Sequence, residues 1–274
     1  MEAYSVLMSV YHKENPLFFA EAIQSMVDQT VCTDDFVIVC DGPLTAELDA
    51  VLEGYRTRYP EIFNIVRLPE NVGIGAAANI GLRHCKNALV AKMDSDDISE
   101  PFRCERQLEM FEKDPRLSIV GGYIQEFDQN PGNPFDVRQV PLTNEAIRKF
   151  ARRRQPFNNQ TVMYRRDAVM AVGGYRSLRR CEDYDVFLRL LNNDHYAGNL
   201  PETLVKVRVN AQAISRRASW STLRGVVISR GYALKVGYSS LLDFLICVGG
   251  ELVILICPGC VQRFIYKKYL RQQC

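Results

Sequence analysis

Four short apolar runs open the chain, at residues 4–10, 36–40, 63–68 and 88–93. Each is bounded by turn formers, and the second (Phe-Val-Ile-Val-Cys) is rich in β-branched residues, so each predicts a buried strand. Between them the spacing becomes helical over 16–29, from Thr45 to about 59, and over 74–85. Asn15 stands where an N-cap belongs, with Pro16 at the first helical position. The order is βαβαβαβ within residues 4–93. Such alternation predicts a parallel sheet with helices on both faces.

After Asp94-Ser95-Asp96-Asp97 the pattern loosens. It predicts a helix over 102–113, a strand over 117–127, a turn cluster at 129–134, helices over 143–154 and 183–193, and a strand over 203–209. From Ala218 onward the chain reads as helical and basic, then strongly apolar over 241–257. The expected organisation is a catalytic domain over 1–210, with halves at about 1–97 and 98–210, and a helical tail over 211–274.

Composition sharpens that division. At 47% hydrophobic and 24% charged the chain can bury a core and is no disordered segment. Residues 1–202 hold 23 Lys and Arg against 30 Asp and Glu, a balance of −7, whereas 203–274 hold 11 against 2, a balance of +9. A basic tail behind an acidic body is either a solvated helix or a surface that meets something anionic. The segment 241–257 is short and interrupted for a membrane span. Its broad apolar face and the cations after it, Arg263, Lys267, Lys268 and Arg271, fit an interfacial segment on an anionic leaflet; the other reading is a helix buried against the domain.

The nine cysteines are odd in number and scattered, and Met1-Glu-Ala-Tyr4 runs straight into a strand with no leader pattern. Free thiols in a reducing compartment are expected. Cys257 and Cys260 form the one close pair, without the second pair or histidine of a zinc site, and read as small apolar fillers.

Ligands of such sheets sit beyond the carboxyl ends of the strands. Ser9-Val10-Tyr11, Asp41 and Asp94-Ser95-Asp96 all map to that edge. Three carboxylates within residues 94–97 repel one another unless solvated or met by a cation. Asp94 and Asp96, two apart, point the same way in extended backbone and suit Mg²⁺ or Mn²⁺. An acidic turn before the helix at 102 is the plainer reading. Gly73, Gly75 and Ala78 also match G-x-G-x-x-A, with Asp94 21 residues after Gly73, which raises an NAD(P)-dependent oxidoreductase as the rival function. Against it, the glycines follow the third strand rather than the first, and Pro69-Glu70-Asn71 intervenes.

The segments SVLMSVYHKE from Ser5, VCDGP around Asp41, ENVGIGAAANIGL from Glu70, AKMDSDD from Ala91 and CEDYDVFLRL from Cys181 together resemble the family 2 glycosyltransferases. The likeness is strongest to the bacterial branch that builds capsules, exopolysaccharides and O-antigen units. It implies the GT-A fold, an α/β class with a mostly parallel central sheet and, here, a C-terminal helical tail. It also implies a UDP-sugar donor and Mn²⁺ or Mg²⁺ as cofactor. By the same resemblance, Ser9, Val10, Tyr11 and Asp41 belong to the uracil and ribose pocket, and Asp94, Ser95 and Asp96 to the DxD segment, Asp96 with Asp94 holding the metal. Asn71 and Gly73 lie beside the nucleotide, Arg83 reaches its phosphates or ribose, and Glu182-Asp183 is the ED motif with Asp183 as general base. An acidic pair at a helix start is also favoured by the helix dipole. Two departures stand out: Cys40 precedes Asp41 where the family usually has a second Asp, and Trp220 lacks the QXXRW context of processive members.

The implied reaction is inverting transfer of one hexose, galactose first and glucose next, to a lipid-diphosphate-linked saccharide. It would take place on the cytoplasmic face of the inner membrane, the enzyme being peripheral there. The arginine-rich segments 148–154, 165–166 and 176–180 would suit acceptor phosphates or simply be solvated; no nucleic-acid motif accompanies them.

Overall fold

The computed structural model describes residues 1–178, 180–209 and 219–256. Among them β1 (Tyr4–Val10), β2 (Asp35–Cys40), β3 (Phe63–Arg67) and β4 (Leu89–Asp94) are joined by α1 (Pro16–Val27), α2 (Ala46–Arg58) and α3 (Ile74–His84). Asn15 and Thr45 cap their helices, the Asn15 side chain accepting from the Leu17 amide at 2.9 Å. These four strands are parallel in the order β3-β2-β1-β4.

The second half changes character. It contains β5 (Ile98–Ser99), α4 (Arg103–Lys113), β6 (Leu117–Phe127), β7 (Asp136–Arg138), α5 (Asn144–Ala151), β8 (Met163–Arg165), α6 (Arg166–Ala171), α7 (Glu182–Asn192) and β9 (Tyr196–Arg208). The sheet continues β4-β8-β6-β9-β5, with β8 antiparallel to both β4 and β6. The sheet is therefore mixed: its first four strands are parallel, β8 runs against both of its neighbours, and β6 and β9 pair in parallel. The pattern does not show β5, β7 and β8, which are two or three residues long. β9 begins at Tyr196 rather than 203 because a β-bulged register with β6 carries it through Pro201.

The strands' alternation sorts the core into two layers. Val6, Met8, Val10 and Ile38 face α1, α2 and α4, while Leu7, Val37 and Val39 face α3 and α7. Beyond β9 the described part of the tail, residues 219–256, is a hairpin of α8 (Trp220–Lys235) and α9 (Leu241–Ile256). No helix among the described residues is long and apolar enough to cross a membrane. Cys257, Cys260 and the cations from Arg263 onward lie outside the described residues; Cys32, Cys40, Cys85, Cys104, Cys181 and Cys247 are free thiols.

Candidate active site

Strand order sets the location. β1 lies between β2 and β4, so the chain's crossovers diverge there and leave a crevice at the carboxyl edge. Register places Ser9 beside Asp94 and Val10 beside Cys40, with Asp41 next. A pocket of about 530 Å³ opens at this edge. Ser9, Val10, Tyr11, Asp41, Asn71, Gly73, Asp94, Ser95 and Asp96 all line it. Arg83 does not: it is exposed on the last turn of α3, roughly 14 Å along the axis from Ile74 at the pocket.

Asp41 organises one wall. Its carboxylate accepts from the Val72 amide at 2.7 Å, the Gly73 amide at 3.1 Å and Asn71 Nδ2 at 3.0 Å. That grip needs Gly73 at φ +88°, a conformation glycine takes without cost. The next glycine serves packing rather than phosphate binding. A Cβ on Gly75 would sit 3.2 Å from the Arg176 carbonyl. Asn79, one turn on, accepts from the Tyr175 amide and donates to the Tyr175 carbonyl, both at 2.7 Å. So α3 clamps the loop that leads to α7, and the G-x-G-x-x-A spacing is accounted for without a dinucleotide.

The opposite wall is acidic. Ser95 Oγ donates to Glu14 Oε2 at 2.6 Å, and Lys92 Nζ lies 2.6 Å from Asp94 Oδ1. Burial, then repulsion from Asp94 and Glu14, pushes Asp96 up to about 7. Burial, then repulsion from Asp96 and Asp94, raises Asp97 well above the usual carboxylate range, although its Oδ1 accepts from the Arg208 amide at 2.9 Å. Arg208 donates to the Asp96 carbonyl at 3.3 Å and packs its guanidinium on the rings of Phe18 and Phe127. Lys92 pairs with Asp94, whereas Asp96 and Glu14 have no ion-pair partner among the described residues, and hard carboxylate oxygens in that state fit Mg²⁺ or Mn²⁺. No preformed cluster of three such ligands exists among the described residues.

Glu182 and Asp183 open α7 and are half-buried, outside the lining of the pocket. Asp183 is pushed up to about 7, first by burial and then by Glu182 and Asp94, against the lowering pull of Lys92. Lys92 is itself raised, as Asp94 and Asp183 together outweigh its burial. It is thus the electrostatic link between the pocket and the start of α7. Tyr164 and Tyr175, hydroxyl to hydroxyl at 3.4 Å, complete the buried group around it. Glu182 Oε2 is buried with no hydrogen-bond partner among the described residues.

Sequence reasoning passed over Lys92, Glu14, Asn79, Tyr164, Tyr175 and Arg208. Lys92 left a signal, being the one charge in an apolar strand and two residues before Asp94. The arginine segments turn out to be largely structural. Arg165 donates to the Leu117 carbonyl, Arg166 to the Cys85 carbonyl, and Arg153 pairs with Asp243. Arg176 pairs with Asp185.

Comparison with known proteins agrees with this architecture. Residues 5–180 match the family described as Glycosyl transferase family 2. The chain belongs to that family. It is 34% identical over 269 residues to the Escherichia coli UDP-Gal:alpha-D-GlcNAc-diphosphoundecaprenol beta-1,3-galactosyltransferase, covering 98% of this chain and 97% of that one. It is 35% identical over 271 residues to the amylovoran biosynthesis glycosyltransferase AmsE of Erwinia amylovora, covering 97% and 98%. Among solved structures it resembles S. aureus TarS 1-349 in complex with UDP-GlcNAc, with a TM-score of 0.68 at 15% identity over 95% of this chain and 77% of that one. It also resembles the mannosyltransferase PcManGT from Pyrobaculum calidifontis in complex with GDP-Man and Mn²⁺, with a TM-score of 0.67 at 13% identity over 97% and 79%. The fold is thus GT-A-like, and the chain is a glycosyltransferase.

Proposed function

We propose that the enzyme moves one galactose from UDP-galactose to a sugar hydroxyl of a polyprenyl-diphosphate-linked saccharide, with inversion, in the assembly of a bacterial surface polysaccharide. The full-length likeness to the E. coli galactosyltransferase carries the choice of donor and acceptor. The pocket supports it chemically. Its wall of Ser9, Val10, Tyr11 and Asp41 would take the uracil and ribose, and Asp96 with Asp94 would hold Mn²⁺ or Mg²⁺. When bound, that ion supplies positive charge to the departing diphosphate.

The chain's own residues do the rest. Lys92 holds Asp94 in place and adds a fixed cation behind it. The acceptor hydroxyl attacks the anomeric carbon, and its proton passes to Asp183 as the new C–O bond forms. The old C–O bond breaks, its electron pair leaving with UDP. A base near neutrality is matched to that proton transfer, and the pKa of Asp183 at about 7 meets this condition. Glu182, with a buried oxygen lacking a partner, would accept a hydrogen bond from an acceptor hydroxyl. The enzyme works as a peripheral protein at the cytoplasmic face of the membrane that carries its acceptor.

The test is UDP release from a panel of UDP-sugars, each with a detergent-dispersed GlcNAc- or GalNAc-diphospholipid. Each would be run with Mn²⁺ or EDTA, beside Asp96→Asn. Acceptor-stimulated, metal-dependent release from UDP-galactose, lost in the variant, is expected. Release from another UDP-sugar alone would overturn the donor, and no release from any would overturn the reading.

A further inference from the structure

The α8–α9 hairpin is built inside out. Placed at 100° per residue, the large exposed side chains of α9 fall within an arc of about 140°. That arc holds Leu242, Leu245, Ile246, Leu252, Val253 and Ile256, the first 61% and the last 80% exposed. Both acids of the helix lie on the opposite side. Asp243, 6% exposed, accepts from Arg153 Nε at 2.5 Å and from the Ser240 amide and hydroxyl at 3.0 and 2.8 Å. Glu251 is half-buried beside Cys181. A helix that rests on water shows the reverse arrangement.

The outward stripe of α8 differs in kind. It carries Trp220, 74% exposed, with Arg224, Val227, Ile228 and Lys235. Neither cation has an ion-pair partner among the described residues, and no acid of the hairpin is exposed. At the turn between the helices a groove of about 520 Å³ adds Arg148, Lys149 and Arg152, tempered by Glu145 and Asp194. An indole, isolated cations and a wide aliphatic face together are the chemistry of a lipid interface.

Resting on the lipid-linked acceptor assigned above, we propose that the outer face of the α8–α9 hairpin docks onto an anionic lipid bilayer. Asp243 and Glu251 fix the inner side of α9 against the domain, so its outward stripe alone meets lipid and the helix lies in the interface. A second copy of the chain is a poorer occupant. A self-complementary dimer on this face would set Arg224 and Lys235 against their own copies with no exposed acid to meet them. The hairpin's inner face grips the start of α7. Gly225 packs so closely on the Arg180 carbonyl that a Cβ there would stand 2.5 Å from it, and Arg230 donates to the carbonyls of Ala151 and Arg153 and to the Tyr184 hydroxyl. Docking therefore sets Glu182 and Asp183 at a fixed place relative to the bilayer.

The full-length protein would be floated with vesicles of phosphatidylcholine alone or with phosphatidylglycerol. The wild type is expected with the anionic vesicles. Leu245→Gln combined with Leu252→Gln should lower the partition coefficient at least about tenfold, as these side chains face outward and their loss leaves the fold intact. Arg224→Glu with Lys235→Glu should remove the preference for phosphatidylglycerol. Circular dichroism melts and UDP-galactose turnover in detergent should match wild type for both pairs. Vesicle binding reads no catalysis, so failure of the galactosyltransferase assignment would show only in the turnover. Wild type that stays with the soluble fraction, unchanged binding in both variants, or a concentration-dependent dimer abolished by the leucine pair would each overturn the proposal.

Discussion

Asp183 and Lys92 concentrate the chemistry at the scale of single residues. Asp183→Asn keeps the shape and removes the base, so kcat should fall by about 10² to 10⁴ with the donor's KM little changed, read from initial rates at saturating acceptor. In the proposed reaction the ionised carboxylate is the reactive form, and burial raises its pKa to about 7. Activity should therefore rise with pH through about 7 and fall away below it; an acid limb of kcat/KM near 4 would contradict the role. Lys92→Met tests the electrostatic link. It leaves Asp94 and Asp183 facing each other with no cation between them, so the acid limb should move upward in pH and turnover should drop. An unchanged limb would show that Lys92 matters for packing alone.

The start of α7 depends on other elements. Asp185, fully buried, meets Arg189 at 2.7 Å, and Arg189 in turn donates to the carbonyls of Val172 and Gly174. This ties α7 to the turn where Gly173 and Gly174 take positive φ. Removing one partner strands a buried charge, so Asp185→Ala should cost about 3–5 kcal/mol, measured by urea unfolding. Asn79→Ala cuts the two hydrogen bonds from α3 to Tyr175 and should cost about 1–3 kcal/mol. Its readout in activity should exceed its effect on stability, since the loop it releases leads to Glu182. The helices α1, α2, α3 and α4 follow their sequence pattern to within two residues. The strands β5, β7 and β8 do not announce themselves, because two or three residues cannot display a period.

Over the whole molecule, ligand, cation and fold are coupled. The acidic wall gathers Glu14, Asp94 and Asp96 at one edge of the pocket, a repulsion that Lys92 beside Asp94 and the neighbouring Arg208 offset only in part. On the proposed reading UDP and Mn²⁺ bind the folded chain alone, so the two together should raise Tm by several degrees at about a hundredfold excess over Kd. EDTA or Asp96→Asn should abolish most of that shift in a thermal melt. An equal shift without the ion would remove the metal from the account.

The amino-acid sequence by itself determined the repeating strands and helices of residues 4–93, because an apolar run between turn formers and a spacing near 3.6 are local properties. It also determined that Ser9, Asp41 and Asp94 would meet at one edge, since in parallel strands that follows from order alone. Only the tertiary structure decided the rest. Arg208 reaches Asp97 and Asp96 from 111 and 112 residues away because β9 ends beside the acidic loop. Asp183 comes within the field of Lys92 because α7 shares a core layer with Val90 of β4, and the burial that raises its pKa belongs to no single segment. Arg83 shows the converse: its place in the motif was legible, yet the length of α3 carries it away from the pocket. Which face of α9 turns outward was likewise beyond its composition, for the pairing of Asp243 with Arg153 sets it.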